Sequence, residues 1–222
     1  MASLPPTIAR PRGRPAKPEH ELLDAMLAAT TWLLLNQGYA ATTMEAVAKH
    51  AGMAKKTLYR YAENREELVG LVVRRMSDGY APFFEADVAS SEQLMPALEA
   101  MLGAVARNVL SADAVGLFRL LTSSFPGREE MLAVYQRNGV ERGTALLRDW
   151  MERQRQRGLV DAADTAVVSE LLLGMAIAEP LRRMALGLIA PVPQWDAGAH
   201  IKAALALLQG KAFALRPPRQ GD

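Results

Sequence analysis

Six consecutive residues stand out for the chemistry their types allow: Lys55-Lys56-Thr57-Leu58-Tyr59-Arg60. Lys and Arg bind phosphate or the acceptor edge of guanine, and Thr and Tyr hydroxyls donate to phosphate oxygens. A second basic set precedes it, Pro11-Arg12-Gly13-Arg14-Pro15. Its prolines hold the chain extended and Gly13 allows close approach. Arg12 and Arg14 suit the negative potential of a narrow A·T minor groove. A generic basic tail that only releases counterions accounts for the same residues equally well. Charge placement agrees with a polyanion-facing N-terminal part. The chain has a formal net charge of +2, whereas residues 1–62 hold eight Lys or Arg against four acids. A solvated face would give the same asymmetry.

These side chains need elements to aim them. From Glu19 the apolar residues Leu22, Leu23, Met26, Leu27, Leu33 and Leu34 recur at three- and four-residue steps, which predicts an amphipathic helix ending at Gly38. Thr42 with Glu45 three residues later fits a capping box for a short second helix to about His50. Gly52 allows a tight turn, and a third helix is predicted over 54–61. Asn64 then caps a fourth helix over 65–79. Two short helices joined by a Gly-containing turn form a helix-turn-helix pattern. In it, small Ala48 permits close helix approach and Val47, Ala51, Met53, Leu58 and Tyr61 point inward. An ordinary helical hairpin with a basic face is the plain alternative.

The remaining chain bounds the fold class. At 222 residues and 24.2 kDa, with 50% hydrophobic and 23% charged residues, it has a soluble globular composition large enough to bury a core. Ala and Leu number 38 and 31 while Val, Ile and Thr together number 27, which favours helix over sheet. Five longer helices are predicted, over 91–110, 112–124, 127–157, 163–189 and 194–212, with Pro180 kinking the fourth. The expected fold is all-α. A disordered basic arm (1–18) precedes a helix-turn-helix domain (19–80), a larger helical domain (81–212) and a disordered tail (213–222). The absence of cysteine excludes disulfides, thiol catalysis and Cys-ligated metals. His20, His50 and His200 have no ligand spacing, and no GxSxG, Walker or GxGxxG pattern occurs. Neither an enzyme nor a metal site or cofactor is expected. No secretory leader or membrane-spanning run is evident, so a cytoplasmic location is the default.

Residues 20–75 resemble the DNA-binding domain of TetR-type transcriptional regulators. The resemblance is carried by Gly38-Tyr39, Thr42-Thr43, Val47-Ala48, Ala51-Gly52, Thr57-Leu58-Tyr59-Arg60-Tyr61 and Arg65-Glu66-Glu67-Leu68. Residues around Phe118 to Met131 are similar to the AefR-type C-terminal domain, and Pro11 to Pro15 resemble the core of an AT-hook. The family resemblance implies phosphate contacts from Thr42, Thr43, Tyr59, Tyr61 and Arg65, and base-edge contacts among Lys55, Lys56, Thr57 and Arg60. One departure stands out. The family has a large apolar residue where this chain has Ala62, and Tyr61 or Trp32 is expected to fill the space.

In the second half, flexible Met and aromatic residues suit an adaptable apolar pocket. Met101, Phe118, Tyr135, Trp150 and Met175 are the candidates to line it, with Arg119, Arg107, Asn108 or Glu170 orienting a ligand. Packed core is the plain alternative for each. The last two long helices are apolar, with Ile201, Ala204, Leu205 and Leu208 on one stripe, and are expected to form a homodimer interface. The resemblance thus implies a dimeric repressor on a palindromic double-stranded operator, released by a small apolar effector. The alternative is a constitutively DNA-bound protein whose second domain docks a protein partner.

Overall fold

The computed structural model describes residues 18–162 and 164–208. The expectations for the arm, Arg12 and Arg14 among them, and for the tail lie outside these residues. Among the described residues the fold is all-α, with no strand beyond an isolated bridge between Ser111 and Val192.

Four helices come first: α1 (Glu19–Gln37), α2 (Met44–His50), α3 (Lys55–Leu58) and α4 (Arg65–Asp78). Helix α1 opens with Glu19 and Glu21 in its first turn, where carboxylates complement the helix dipole, and ends at Gly38 with φ +81°. Its inner face is Met26, Leu27, Leu33 and Leu34, all buried. The cap of α2 differs from the capping box expected at Thr42. Thr43 is the cap, its hydroxyl accepting from the Ala46 N–H at 3.1 Å. Thr42 is instead fully buried and donates to the Gly38 carbonyl at 2.9 Å, closing the loop that leaves α1. Asn64 caps α4 as expected, accepting from the Glu67 N–H at 2.8 Å.

The second set comprises α5 (Leu94–Val109), α6 (Ala112–Thr122), α7 (Arg128–Tyr135), α8 (Arg142–Gln156), α9 (Thr165–Leu173), α10 (Glu179–Ala185) and α11 (Ala197–Leu208). The single helices expected over 127–157 and 163–189 are each interrupted by a π-helical stretch, Gln136–Glu141 and Gly174–Ala178. Wider i→i+5 turns of this kind are uncommon and recur at functional sites. In the first, the Asn138 amide donates to the Val134 carbonyl at 3.0 Å, giving that carbonyl a side-chain donor. The second runs without a break into Pro180, which has no N–H to close an i→i−4 bond, so the regular ladder is interrupted there.

The core divides into two apolar clusters. One joins α1–α4 to Leu117 and Leu121 of α6 and Met131 and Val134 of α7. The other is built on α5, α8, α9, α10 and α11 around Trp150, which is fully buried and donates its indole N–H to the Ala86 carbonyl at 2.9 Å. The first four helices therefore rest directly on α6 and α7, so a displacement of those helices reaches α4 through side-chain packing.

Candidate nucleic-acid interface and ligand cavity

Helices α2 and α3 meet at Gly52, with φ +63°, and at Ala48, which is buried between them. Val47 and Leu58 are fully buried and anchor the pair in the first apolar cluster. Regular α-helix in α3 covers Lys55–Leu58 alone, shorter than the expected 54–61. The chain continues as a turn in which Tyr61 N–H and Ala62 N–H both return to the Leu58 carbonyl. This burial of Leu58 leaves Lys55, Lys56, Tyr59 and Arg60 exposed and Thr57 half-buried. Tyr59 is 46% exposed, and its hydroxyl has no hydrogen-bond partner among the described residues. Thr43, at the start of α2, is also exposed.

Other residues expected at this surface are placed differently. Thr42 is buried under the α1–α2 loop and cannot reach a phosphate. Arg60 extends toward Glu19 at the start of α1, 3.9 Å away, with both side chains solvated. Tyr61 is half-buried against the first cluster, its hydroxyl 3.5 Å from the Glu19 carbonyl. Ala62 is buried. Tyr61 thus packs in this region, whereas Trp32 is 44% exposed and stacks on His50 at 4.5 Å. Arg65 is folded over the Tyr39 ring at 3.9 Å and donates to the Tyr39 carbonyl at 3.3 Å. The Tyr39 hydroxyl donates to Glu66 at 3.0 Å. Burial, and then the Glu66 carboxylate, push the Tyr39 phenol up. Burial opposes ionisation of Glu66, but its own N–H, Tyr39 and Arg65 together hold its carboxyl below the usual range. Arg65 is therefore committed to the inside of the domain first.

A cavity of about 280 Å³ lies between the two sets of helices. Val73, Met76 and Ser77 of α4 form one wall and Val105 and Val109 of α5 another. Both π-helical stretches face it, through Gly139 and Val140 and through Gly174, Ile177 and Ala178. Tyr80, Tyr135, Thr144 and Glu170 supply its polar atoms besides Ser77, whose hydroxyl is turned to the Arg74 carbonyl. Burial pushes the Tyr80 phenol up to about 12 and raises that of Tyr135.

Of the five residues expected to line a pocket, Tyr135 alone lines this one. Met101 and Trp150 are core, with no face on the cavity. Phe118 packs on the second cluster, 6.4 Å from the Tyr135 ring, as a neighbour of the wall. Arg119 donates to the Ala185 and Met184 carbonyls at 2.9 and 2.6 Å, so it caps the end of α10. Met175 packs on the second cluster, and its carbonyl meets His200 Nε2 at 2.9 Å. Arg107 and Asn108 also lie off this cavity, whereas Glu170 is on it. Tyr80 and Thr144 were not anticipated. The available signal was the glycine pair Gly139 and Gly143, one turn apart in an otherwise bulky stretch, which opens that side of the helix.

The stripe Ile201, Ala204 and Leu205 is buried within the chain against the second cluster, not free for a partner. The side chain of Leu208 is outside the described set. The exposed apolar side chains of this region are Val167, Leu171, Leu186, Leu188 and Leu207. No helix among the described residues is long and apolar enough to cross a membrane.

Comparison with known proteins supplies the lineage. Residues 26–72 match the model of bacterial regulatory proteins of the tetR family. Residues 96–209, just over half of the chain, match that of the AefR-like transcriptional repressor C-terminal domain. No curated protein matches the chain. Among solved structures, a TetR transcriptional regulator from Agrobacterium tumefaciens is similar at a TM-score of 0.66 and 23% identity, over 85% of this chain and 93% of that one. The flavonoid-responsive regulator FrrA is similar at 0.64 and 22%, over 86% and 96%. The fatty acid degradation regulator FadR from Bacillus halodurans is similar at 0.62 and 18%, over 85% and 98%. At such identities the structures speak for the fold, and the two family models speak for descent: the chain belongs to the tetR family of bacterial transcriptional regulators, with a C-terminal domain of the AefR-like type.

Proposed function

We propose that this regulator is a homodimeric repressor that binds a palindromic operator through α3 and is released by a small apolar ligand held in the cavity. The observation that carries the reading is the double role of α4. Its first turn, Asn64 to Glu67, follows α3 along the chain through the short turn after Leu58, and Val73, Met76 and Ser77 nearer its end form a cavity wall. A ligand that repositions α4 therefore moves the DNA-reading element. Release follows if the ligand has a higher affinity for the arrangement whose α3 spacing does not match the operator.

Lys55 and Lys56 are the base-edge readers in this account, with Thr43, Tyr59 and Arg60 on phosphates and Thr57 at the margin. The basic arm, with Arg12 and Arg14, adds phosphate or minor-groove contacts. Dimerisation uses the exposed Val167, Leu171 and Leu207 of α9 and α11, with Leu186 and Leu188 beside them. Two-fold symmetry then sets two α3 elements about 34 Å apart, one turn of the double helix. The test is fluorescence anisotropy of an operator duplex obtained by selection, titrated with protein and then with apolar compounds. Saturable binding reversed by a compound supports the reading. Binding that no compound reverses, with a copurifying protein on the second domain, favours a DNA-anchored docking protein instead.

A further inference from the structure

We propose that the cavity beside α4 selects a neutral hydroxylated aromatic molecule, held by hydrogen bonds to Tyr80, Tyr135 and Glu170, over carboxylates or ammonium ions of the same shape. The effect on DNA rests on the effector reading above; the binding preference does not.

The size and wall argue first. About 280 Å³ is just below the usual span of small-molecule sites, roughly 300–1,000 Å³, so only a small ligand fits. The room comes from small residues: Gly139, Gly143 and Gly174, with Ala114 and Ala178. A Cβ at Gly143 would stand 2.9 Å from the Tyr80 hydroxyl, so this glycine lets the phenol lie on the backbone of α8. Tyr80 and Tyr135 bring aromatic surface to the wall, which suits an aromatic ligand.

The polar atoms argue the rest. Neither phenol has a hydrogen-bond partner among the described residues, and a phenol is neutral at physiological pH even without the upward push that burial gives both. Each is a neutral donor and acceptor left for a ligand hydroxyl. Glu170, at the rim, has no hydrogen bond or ion pair among the described residues and accepts from a hydroxyl as a charge-assisted partner. No Lys, Arg or His is in the wall. Arg142, adjacent to Gly143, is outside the lining; its charge reaches the Tyr80 hydroxyl but is opposed there by that of Asp78, which holds it at 2.6 Å, and its Nη1 is buried without a partner. A ligand carboxylate inside the cavity would lose its water with no cation in the wall to meet it, and at the rim it would face the Glu170 charge. An ammonium would find its one counter-charge at the solvated rim and only neutral phenols inside.

A matched set isolates charge at constant shape: 4-hydroxybiphenyl, biphenyl-4-carboxylate and biphenyl-4-ylmethylammonium, with biphenyl as reference. Binding to the full chain is measured by titration calorimetry, and DNA release in parallel. The phenol is expected to bind about tenfold tighter than either ion. Tyr80→Phe and Tyr135→Phe each weaken the phenol several-fold and leave biphenyl unchanged. Glu170→Gln narrows the gap to the carboxylate. Gly174→Leu, whose Cβ position has no atom within 4 Å, blocks the cavity and abolishes binding. Ala178→Leu repeats this test if the first variant fails to melt cooperatively. The ligand class is overturned if an ion binds as tightly as the phenol, if the phenol does not bind at millimolar concentration, or if both Tyr→Phe variants bind it unchanged. Phenol binding without DNA release sinks the effector reading and keeps the ligand class. Release by the carboxylate alone does the reverse.

Discussion

The Arg65 guanidinium lies 3.9 Å from the centre of the Tyr39 ring, tying the first turn of α4 to the loop that leaves α1. A third segment closes on the same ring. Gly127, with φ +85° at the start of α7, stands so close that a Cβ there would be 2.6 Å from Tyr39 Cε1. The α6–α7 connection, the α1–α2 loop and α4 thus share one contact point. A cation over an aromatic face contributes about 0.5–2 kcal/mol according to its solvation, and Arg65 is about one-third exposed. Arg65→Ala should lower unfolding free energy by about 1–2 kcal/mol, counting the lost hydrogen bond to the Tyr39 carbonyl. It should also weaken binding to all DNA sequences alike. Urea unfolding and anisotropy on specific and random duplexes check both halves; a variant with unchanged stability would detach Arg65 from the frame.

The adjacent threonines separate by role. Thr43→Ala removes a helix cap, costing about 1 kcal/mol, and should also weaken phosphate binding. Thr42→Val keeps shape but leaves the half-buried Gly38 carbonyl without its donor, costing about 1 kcal/mol. Affinity measured where both variants are fully folded should fall for Thr43→Ala and stay level for Thr42→Val.

Lys55 and Lys56 should govern which sequence is bound. A good bidentate base contact discriminates by about 1–3 kcal/mol, so Lys55→Ala or Lys56→Ala should flatten the preference at one or two base pairs. Tyr59→Phe, which loses a hydroxyl at an exposed position, should weaken every duplex by a similar factor. Competition among single-base operator variants reads the difference, and equal preference in all three proteins would remove α3 from the groove.

Leu171 is 58% exposed and Leu207 is 77% exposed. Leu171→Glu together with Leu207→Glu should leave the chain folded, since neither side chain is core, and convert a dimer to monomers. Analytical sedimentation at micromolar concentration checks this. A wild-type monomer, or an unchanged dimer in the variant, would place the interface elsewhere.

What was legible from sequence followed local rules. Leu22 to Leu34 show the helical step in the chain itself, and Gly52, Asn64 and Gly38 act through their own backbone or the next turn. The exposure of Lys55, Lys56 and Tyr59 was legible because Leu58 and Val47 define the inward face of a very small motif. Thr42 and Thr43 were harder: both are capable caps, and burial under Tyr39 and Gly38 decides between them. The cavity was least legible. Met and aromatic content marks apolar surface, but Trp150 and Met101 found packing partners and became core. The space arose where Gly139, Gly143 and Gly174 remove side chains and two π-helical stretches shift the register, neither of which a regular helical period encodes. The same period placed Ile201 and Leu205 on one stripe correctly, yet could not say that α5 covers it.

The most direct test of the account is selection of bound duplexes from a random library by the full chain at near-physiological salt, repeated with the Lys55→Ala, Lys56→Ala double variant. The account predicts a palindromic consensus with half-sites roughly one helical turn apart for the wild type, and loss of that consensus in the variant. Enrichment of no palindrome, or of the same palindrome by both proteins, would contradict it.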